Sequence, residues 1–183
     1  MNIKKINIIS DTHFRLSQSA FEALKGNFSP QQIYDYCLFG DAKFCKYREE
    51  LDQKVPDLVI HAGDIGSQHV IDSIESIAPL IAVNGNCDFE SYHTLRGFTE
   101  DLEFFTFEDV PIVVAHRPYQ IEGYDAKLLI HGHTHASHIT PNDNGSITIC
   151  PGSASMGRYG TPNSIASVYV ENGQVIFAEL IGV

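Results

Sequence analysis

Five times along this chain a short aliphatic, β-branched run stops at a carboxylate, an amide or an imidazole. The runs are Ile6-Asn7-Ile8-Ile9-Ser10-Asp11-Thr12-His13, Leu58-Val59-Ile60-His61-Ala62-Gly63-Asp64, Leu80-Ile81-Ala82-Val83-Asn84-Gly85-Asn86-Cys87-Asp88, Ile112-Val113-Val114-Ala115-His116 and Leu128-Leu129-Ile130-His131-Gly132-His133-Thr134-His135. Each reads as a strand, and open α/β sheets gather their sites at the carboxyl ends of strands. Taken singly, each polar end has an ordinary account: Asp11 as a turn cap, Gly63-Asp64 and Gly85-Asn86 as turn dipeptides, His116 as a structural histidine. Together they require a fold that brings five strand ends to one place. The last run is the most pointed, because neutral imidazole is the commonest metal ligand. A continuing strand would send its three histidines to one face, and Gly132 lets the backbone turn tightly at the strand tip and aim them at a shared point.

In that order, Asp11-x-His13, Gly63-Asp64, Gly85-Asn86-x-Asp88, His116 and Gly132-His133-x-His135 resemble the motifs of the calcineurin-like metallophosphoesterases, especially the small bacterial and archaeal phosphodiesterases. The resemblance runs from Ile3 to about Ser155. It implies an α/β fold: a two-sheet β-sandwich flanked by helices, four-layer α/β/β/α, with two divalent metals between the strand tips. Carried over motif by motif, it places one metal on Asp11, His13, Asp64 and His135. A second falls on Asp64, Asn86, His116 and His133, which makes Asp64 the bridge. Mixed oxygen and nitrogen donors suit Mn²⁺ foremost, with Fe, Zn²⁺ or Ni²⁺ as alternatives, better than Ca²⁺ or a thiolate-bound structural Zn²⁺. Paired divalent ions about 3.5–4 Å apart can hold a bridging hydroxide as nucleophile and clamp phosphoryl oxygens. Two such ions, two carboxylates and one hydroxide leave about +1, which complements a monoanionic phosphodiester. The implied function is metal-dependent hydrolysis of a small phosphodiester. A phosphomonoesterase acting on a nucleotide or sugar phosphate is the alternative within enzymes, and a non-catalytic interaction scaffold of the same fold is the alternative outside them. The seven implied ligand positions all retain ligating side chains, which argues against the scaffold.

Two positions depart from the family pattern. Many members have His between the Asn and the acidic residue of the third motif, where it can protonate the leaving alkoxide; this chain has Cys87, a poorer general acid at neutral pH. Good leaving groups should therefore be favoured, unless Cys87 is simply a small buried residue. After His116 stands Arg117, whose planar fork of donors suits the non-bridging oxygens of a phosphate, or else an exposed pairing with a surface carboxylate. Asp88 is expected to brace its loop through hydrogen bonds. Pro151-Gly152-Ser153 resembles the family's turn after the last motif, with Cys150 where Asn is common, and reads as structural. His61, His69, His93, His131 and His138 are given no ligand role, although His131 could orient a ligand.

Composition bounds the rest. The chain has 183 residues, 43% hydrophobic, enough for one domain over 1–183 with a substantial core. With 23 acidic and 12 basic residues, a formal charge of −11 and no Lys/Arg run, nucleic acid is not an expected partner. The run from Ile6 to Ile9 is too short for a signal peptide and nothing approaches a membrane span, so a cytoplasmic protein without a membrane partner is expected. Cys37, Cys45 and Cys150 read as reduced thiols. Relatives are often dimers or larger, and no surface stripe here forces that assignment.

Between His13 and Asp57 the spacing predicts three short helices, started by the capping boxes Ser19-x-x-Glu22 and Ser29-Pro30-x-Gln32 and ending with one over about 42–54. The stretch from about 14 to 40 reads as a helical insertion, either a wall or lid over the site or a decorated surface helix pair. Ser67 caps a helix to about Ile77 with Val70, Ile71, Ile74 and Ile77 as its apolar stripe. Leu102–Phe107 and Ile112–Ala115 read as a hairpin. The remaining strands, over 146–150, 164–170 and 175–180, read as one antiparallel sheet with turns at Asn144-Gly145 and Asn172-Gly173.

Overall fold

The computed structural model describes residues 2–27, 33–34, 51, 53–88, 100–158 and 160–183. Eleven strands are described: β1 (Lys4–Ile9), β2 (Ile33–Tyr34), β3 (Leu58–His61), β4 (Leu80–Ala82), β5 (Leu102–Phe107), β6 (Val110–Ala115), β7 (Leu128–His131), β8 (His138–Pro141), β9 (Ile147–Cys150), β10 (Ser164–Glu171) and β11 (Gln174–Gly182). Two α-helices, α1 (Gln18–Leu24) and α2 (Gln68–Glu75), and a 3₁₀ turn over Pro118–Ile121 accompany them. The strands form two mixed sheets, in the orders β2-β11-β10-β1-β3-β4 and β5-β6-β7-β9-β8. In each, three neighbouring strands run parallel, β1-β3-β4 and β6-β7-β9, so the ligand-bearing ends of each sheet lie together.

The strands alternate as a two-faced sheet requires. Ile6, Ile8, Leu58, Ile60, Ala166, Val168 and Val170 of the first sheet meet Val110, Ile112, Val114, Leu128, Ile130, Ile147 and Ile149 of the second in the central core. The opposite face of the first sheet, with Ile9 and Val59, is covered by Ala20, Ala23 and Leu24 of α1 and by Val70, Ile71 and Ile74 of α2. Over the outer face of the second sheet, Ile121 of the 3₁₀ turn packs with Val113, Ala115, Ala126 and Leu129. The architecture is thus the expected sandwich with helical outer layers, the second of them a single turn among the described residues. Asn7, buried on the helix-covered face, ties the layers: its Nδ2 donates to Leu24 O at 2.8 Å and its Oδ1 accepts from Ser167 Oγ at 2.7 Å.

The structure differs from the sequence reading in several details. Ser17, not Ser19, caps α1, its Oγ accepting from Ala20 N at 3.1 Å. Ile33–Tyr34, expected in a helix, is an edge strand antiparallel to β11. The described part of the 14–40 segment covers the first sheet through α1; the rest of it, and the helix expected over 42–54 apart from a few positions, lie outside the described residues, as do Cys37, Cys45 and His93. α2 ends at Glu75, and Ser67 makes no side-chain cap. The C-terminal strands are not one sheet: β8 and β9 join the second, β10 and β11 the first. The β5-β6 hairpin turns on Glu108-Asp109, both with positive φ, and β10-β11 on Asn172-Gly173 likewise, as two-residue primed turns require. No helix among the described residues is long and apolar enough to cross a membrane.

Candidate metal centre

Asp11, His13, Asp64, His133 and His135 all adopt positive φ, between 42° and 67°. Left-handed backbone is costly for residues with a Cβ and tends to persist where the surroundings impose it. Here it turns the chain at three strand tips. The resulting side chains converge: His135 Nε2 lies 3.0 Å and His13 Nε2 3.9 Å from Asp11 Oδ1, and the two Nε2 atoms are 3.2 Å apart. On the other side, His116 Nε2 lies 3.1 Å from Asn86 Oδ1 and 3.3 Å from His133 Nδ1. Between the two groups stands Asp64, its Oδ2 3.9 Å from His13 Nε2 and 3.4 Å from His116 Nε2. All seven residues expected as ligands therefore meet in one cluster, with Asp64 between its two halves.

The rings are held for this purpose. His116 Nδ1–H donates to Ala62 O at 2.8 Å and His135 Nδ1–H to Met156 O at 2.6 Å, so each presents Nε2 to the cluster. Asp11 is fixed by the Ser10 hydroxyl and the His133 amide on Oδ2, while its Oδ1, fully buried, has no hydrogen-bond partner. A buried carboxylate oxygen without a donor, facing imidazole nitrogens at close range, fits a cation. Three overlapping sets, Asp11/His13/His135, Asp11/Asp64/His116 and His13/Asp64/Cys87, place donor atoms within 4.8 Å of one another. The residues present therefore fit divalent metal ions.

Electrostatics agree with that assignment. Burial works to raise the Asp64 pKa, but the hydrogen bond with His116 and the Cys87 amide on Oδ1 at 2.8 Å outweigh it and hold the carboxylate well below its usual range. His135 is raised by Asp11, whereas burial and the neighbouring His116 and Arg117 lower His133. Burial and then the carboxylates of Asp64, Asp88 and Asp11 push the Cys87 thiol up to about 11, so a neutral thiol stands beside the centre. His61, given no ligand role, is buried against Thr12 Oγ1 at 3.0 Å, and desolvation pushes it down to about 4.

Asp88 braces its loop as expected, accepting from the Gly85, Ile65 and Gly66 amides at 2.7, 3.2 and 2.8 Å. Arg117 and Tyr119, linked at 3.4 Å, line a cleft of about 250 Å³ with Asn84, Gly85, Asn86, Asp101, His116 and Gln120. The residues missed by the sequence reading are supports. Ser153 and Ser155 hydroxyls both donate to Asp11 O, at 2.8 and 2.9 Å, and Met156 O orients His135. The Pro151-Gly152-Ser153 turn was their only signal.

Comparison with known proteins follows the same line. Residues 5–173 match the model of the calcineurin-like phosphoesterase superfamily domain. A probable metallophosphoesterase of Methanocaldococcus jannaschii is 27% identical over an alignment of 146 positions that covers 73% of this chain and 60% of that curated relative's length. Among solved structures, the phosphoesterase Yfce of E. coli aligns with a TM-score of 0.59 at 19% identity, covering 95% of this chain and 97% of its own. A single mutant of Vps29 from Entamoeba histolytica aligns at 0.62 and 15%, covering 96% and 97%.

Proposed function

Because the chain belongs to the calcineurin-like phosphoesterase superfamily, we propose that it is a metal-dependent phosphohydrolase and that its substrate is a small phosphodiester. The observation that carries this reading is the position of Asp64 Oδ2 between two donor groups, His13 on one side and His116 on the other. Two divalent ions held there, Mn²⁺ foremost, would activate a water and polarise phosphoryl oxygens. The chain's own contribution is placement. Asp11 and Asp64 are the only carboxylates among the seven donors, so two bound divalent cations keep an excess of positive charge that attracts a phosphate anion.

Arg117 lines the cleft beside Asn86 and His116, and its fork is suited to the non-bridging oxygens of the ester. Arg117→Ala should raise KM about tenfold with little change in kcat, the loss of one charge-assisted contact made equally in ground and transition states. Steady-state kinetics check this, and an unchanged KM would remove Arg117 from the binding site. Cys87, with its neutral thiol, leaves the alkoxide without a strong proton donor. Cys87→His should speed hydrolysis of poor-leaving-group diesters by about 10²-fold while leaving activated aryl diesters nearly unchanged. No gain would assign Cys87 a packing role only.

The reading is tested by comparing an aryl phosphodiester with the matching monoester, each with added Mn²⁺. Higher kcat/KM on the diester supports it, preference for the monoester replaces it with a phosphomonoesterase, and no turnover of either rejects hydrolysis.

A further inference from the structure

A second donor cluster lies outside the centre. In the second sheet β7, β9 and β8 are neighbours. The β7-β9 pairing runs Leu128↔Ile147 to Ile130↔Ile149, one step short of His131 and Cys150, and in the β8-β9 pairing His138 faces Cys150 directly. His131, Cys150 and His138 thus form one row across three strands and project from one face. That face is the outer one, since Leu128, Ile130, Ile139 and Ile149 fill the central core. Each of the three offers a donor atom within 4.8 Å of the other two.

The row has the features of a built site. His131 and Cys150 are buried, 4% and 0% exposed, and His138 is partly exposed at the sheet edge. His131 Nδ1–H donates to Gly132 O at 2.9 Å and His138 Nδ1–H to Ala136 O at 3.1 Å. A carbonyl only accepts, so both rings carry the proton on Nδ1 and keep the Nε2 lone pair. Neither Nε2 has a hydrogen-bond partner among the described residues. Metal-bound histidines usually show this arrangement, ring N–H to a backbone carbonyl and the other nitrogen free. The rings lie 5.2 Å apart, centroid to centroid. His131 also lines an open depression of about 590 Å³ on this face, which gives a path from solvent.

We propose that His131, His138 and Cys150 form a third cation site, specific for a borderline-soft ion of the Zn²⁺ class and separate from the strand-tip centre. Two imidazoles and a thiolate are a donor set typical of Zn²⁺, with bonds of about 2.0–2.3 Å, and three protein ligands leave a fourth position for water. As the bond forms, the Cys150 Sγ–H proton leaves to solvent and sulfur donates its electron pair to the ion; nothing is oxidised or reduced. The ion cross-links the edge strand β8 to β7 and β9. It also lies behind the loop that carries His133 and His135, where Thr134 Oγ1 touches Cys150 Sγ at 3.4 Å.

The test uses the full chain loaded with Co²⁺ and, separately, with Zn²⁺. Cys150 predicts a near-ultraviolet thiolate-to-cobalt charge-transfer band and one equivalent of Zn²⁺ beyond those held at the strand tips. Both should persist in Cys87→Ser, which removes the only other thiol near a donor cluster among the described residues. Both should vanish in Cys150→Ser and in His138→Ala, the second a partly exposed position that avoids disturbing the core. A wild-type protein without the band, or a band that survives Cys150→Ser or disappears in Cys87→Ser, overturns the proposal whatever the outcome for phosphate-ester hydrolysis.

Discussion

Asp64→Ala is expected to lower kcat on a phosphodiester reporter by at least about 10³-fold, the scale set by losing several kcal/mol of charge stabilisation at a two-metal site. Asp64 Oδ2 lies between the two donor groups, 3.9 Å from His13 Nε2 and 3.4 Å from His116 Nε2. Its other oxygen accepts the Cys87 amide at 2.8 Å, so the same residue sets the loop that presents Asn86. Alanine removes a negative charge from among clustered imidazoles, and ions held there would lose a shared ligand. Turnover and bound metal should fall together, with circular dichroism close to wild type. Wild-type turnover in this variant would separate the reaction from the cluster.

Gly132→Ala should act as strongly through geometry. A Cβ at Gly132 would fall on Ser10 Oγ and lie 2.8 Å from Ala62 O and 2.9 Å from Asp11 Oδ2. Those three atoms belong to one network, because the Ser10 hydroxyl donates to both Asp11 Oδ2 and Ala62 O. The methyl group must push the His133–His135 loop away from Asp11 or break that network. Overpacking of this kind costs about 1–3 kcal/mol, which for a chain of this size lowers Tm by roughly 2–12 °C. The displaced loop should also lose metal affinity. Gly145→Ala is the control: its own φ is positive, 81°, but no atom lies within 4 Å of its new Cβ, so it should cost only the backbone strain. Equal Tm and metal content in wild type and Gly132→Ala would show that the close approach is not needed.

The parts of this molecule legible in the sequence are those written locally. Aliphatic runs ending in Asp11, Asp64, Asn86, His116 and His133 mark strands whose carboxyl ends meet, and the pairing of β1-β3-β4 and β6-β7-β9 brings them together. The turn at Asn172-Gly173 was equally readable, since few residues tolerate its backbone. Sheet membership was not. β10 leaves the last strands of the second sheet to pair with β1, a contact more than 150 residues distant in sequence that no local pattern encodes. The two-residue β2 and the Pro-ended β8 are too short to show a period. For the same reason the row of His131, Cys150 and His138 was invisible, because it exists only once β7, β9 and β8 are placed side by side. The serines that hold Asp11 O come from the turn after β9 and carry no metal-ligand signature of their own.

The central claim is that seven donors from five strand ends hold two divalent ions across Asp64. Anomalous diffraction from crystals soaked in Mn²⁺ measures this directly. The account predicts two manganese peaks, one among Asp11, His13 and His135, the other among Asn86, His116 and His133, with Asp64 between them and about 3.5–4 Å separating the ions. A single peak, peaks remote from Asp64, or none at saturating Mn²⁺ would contradict it.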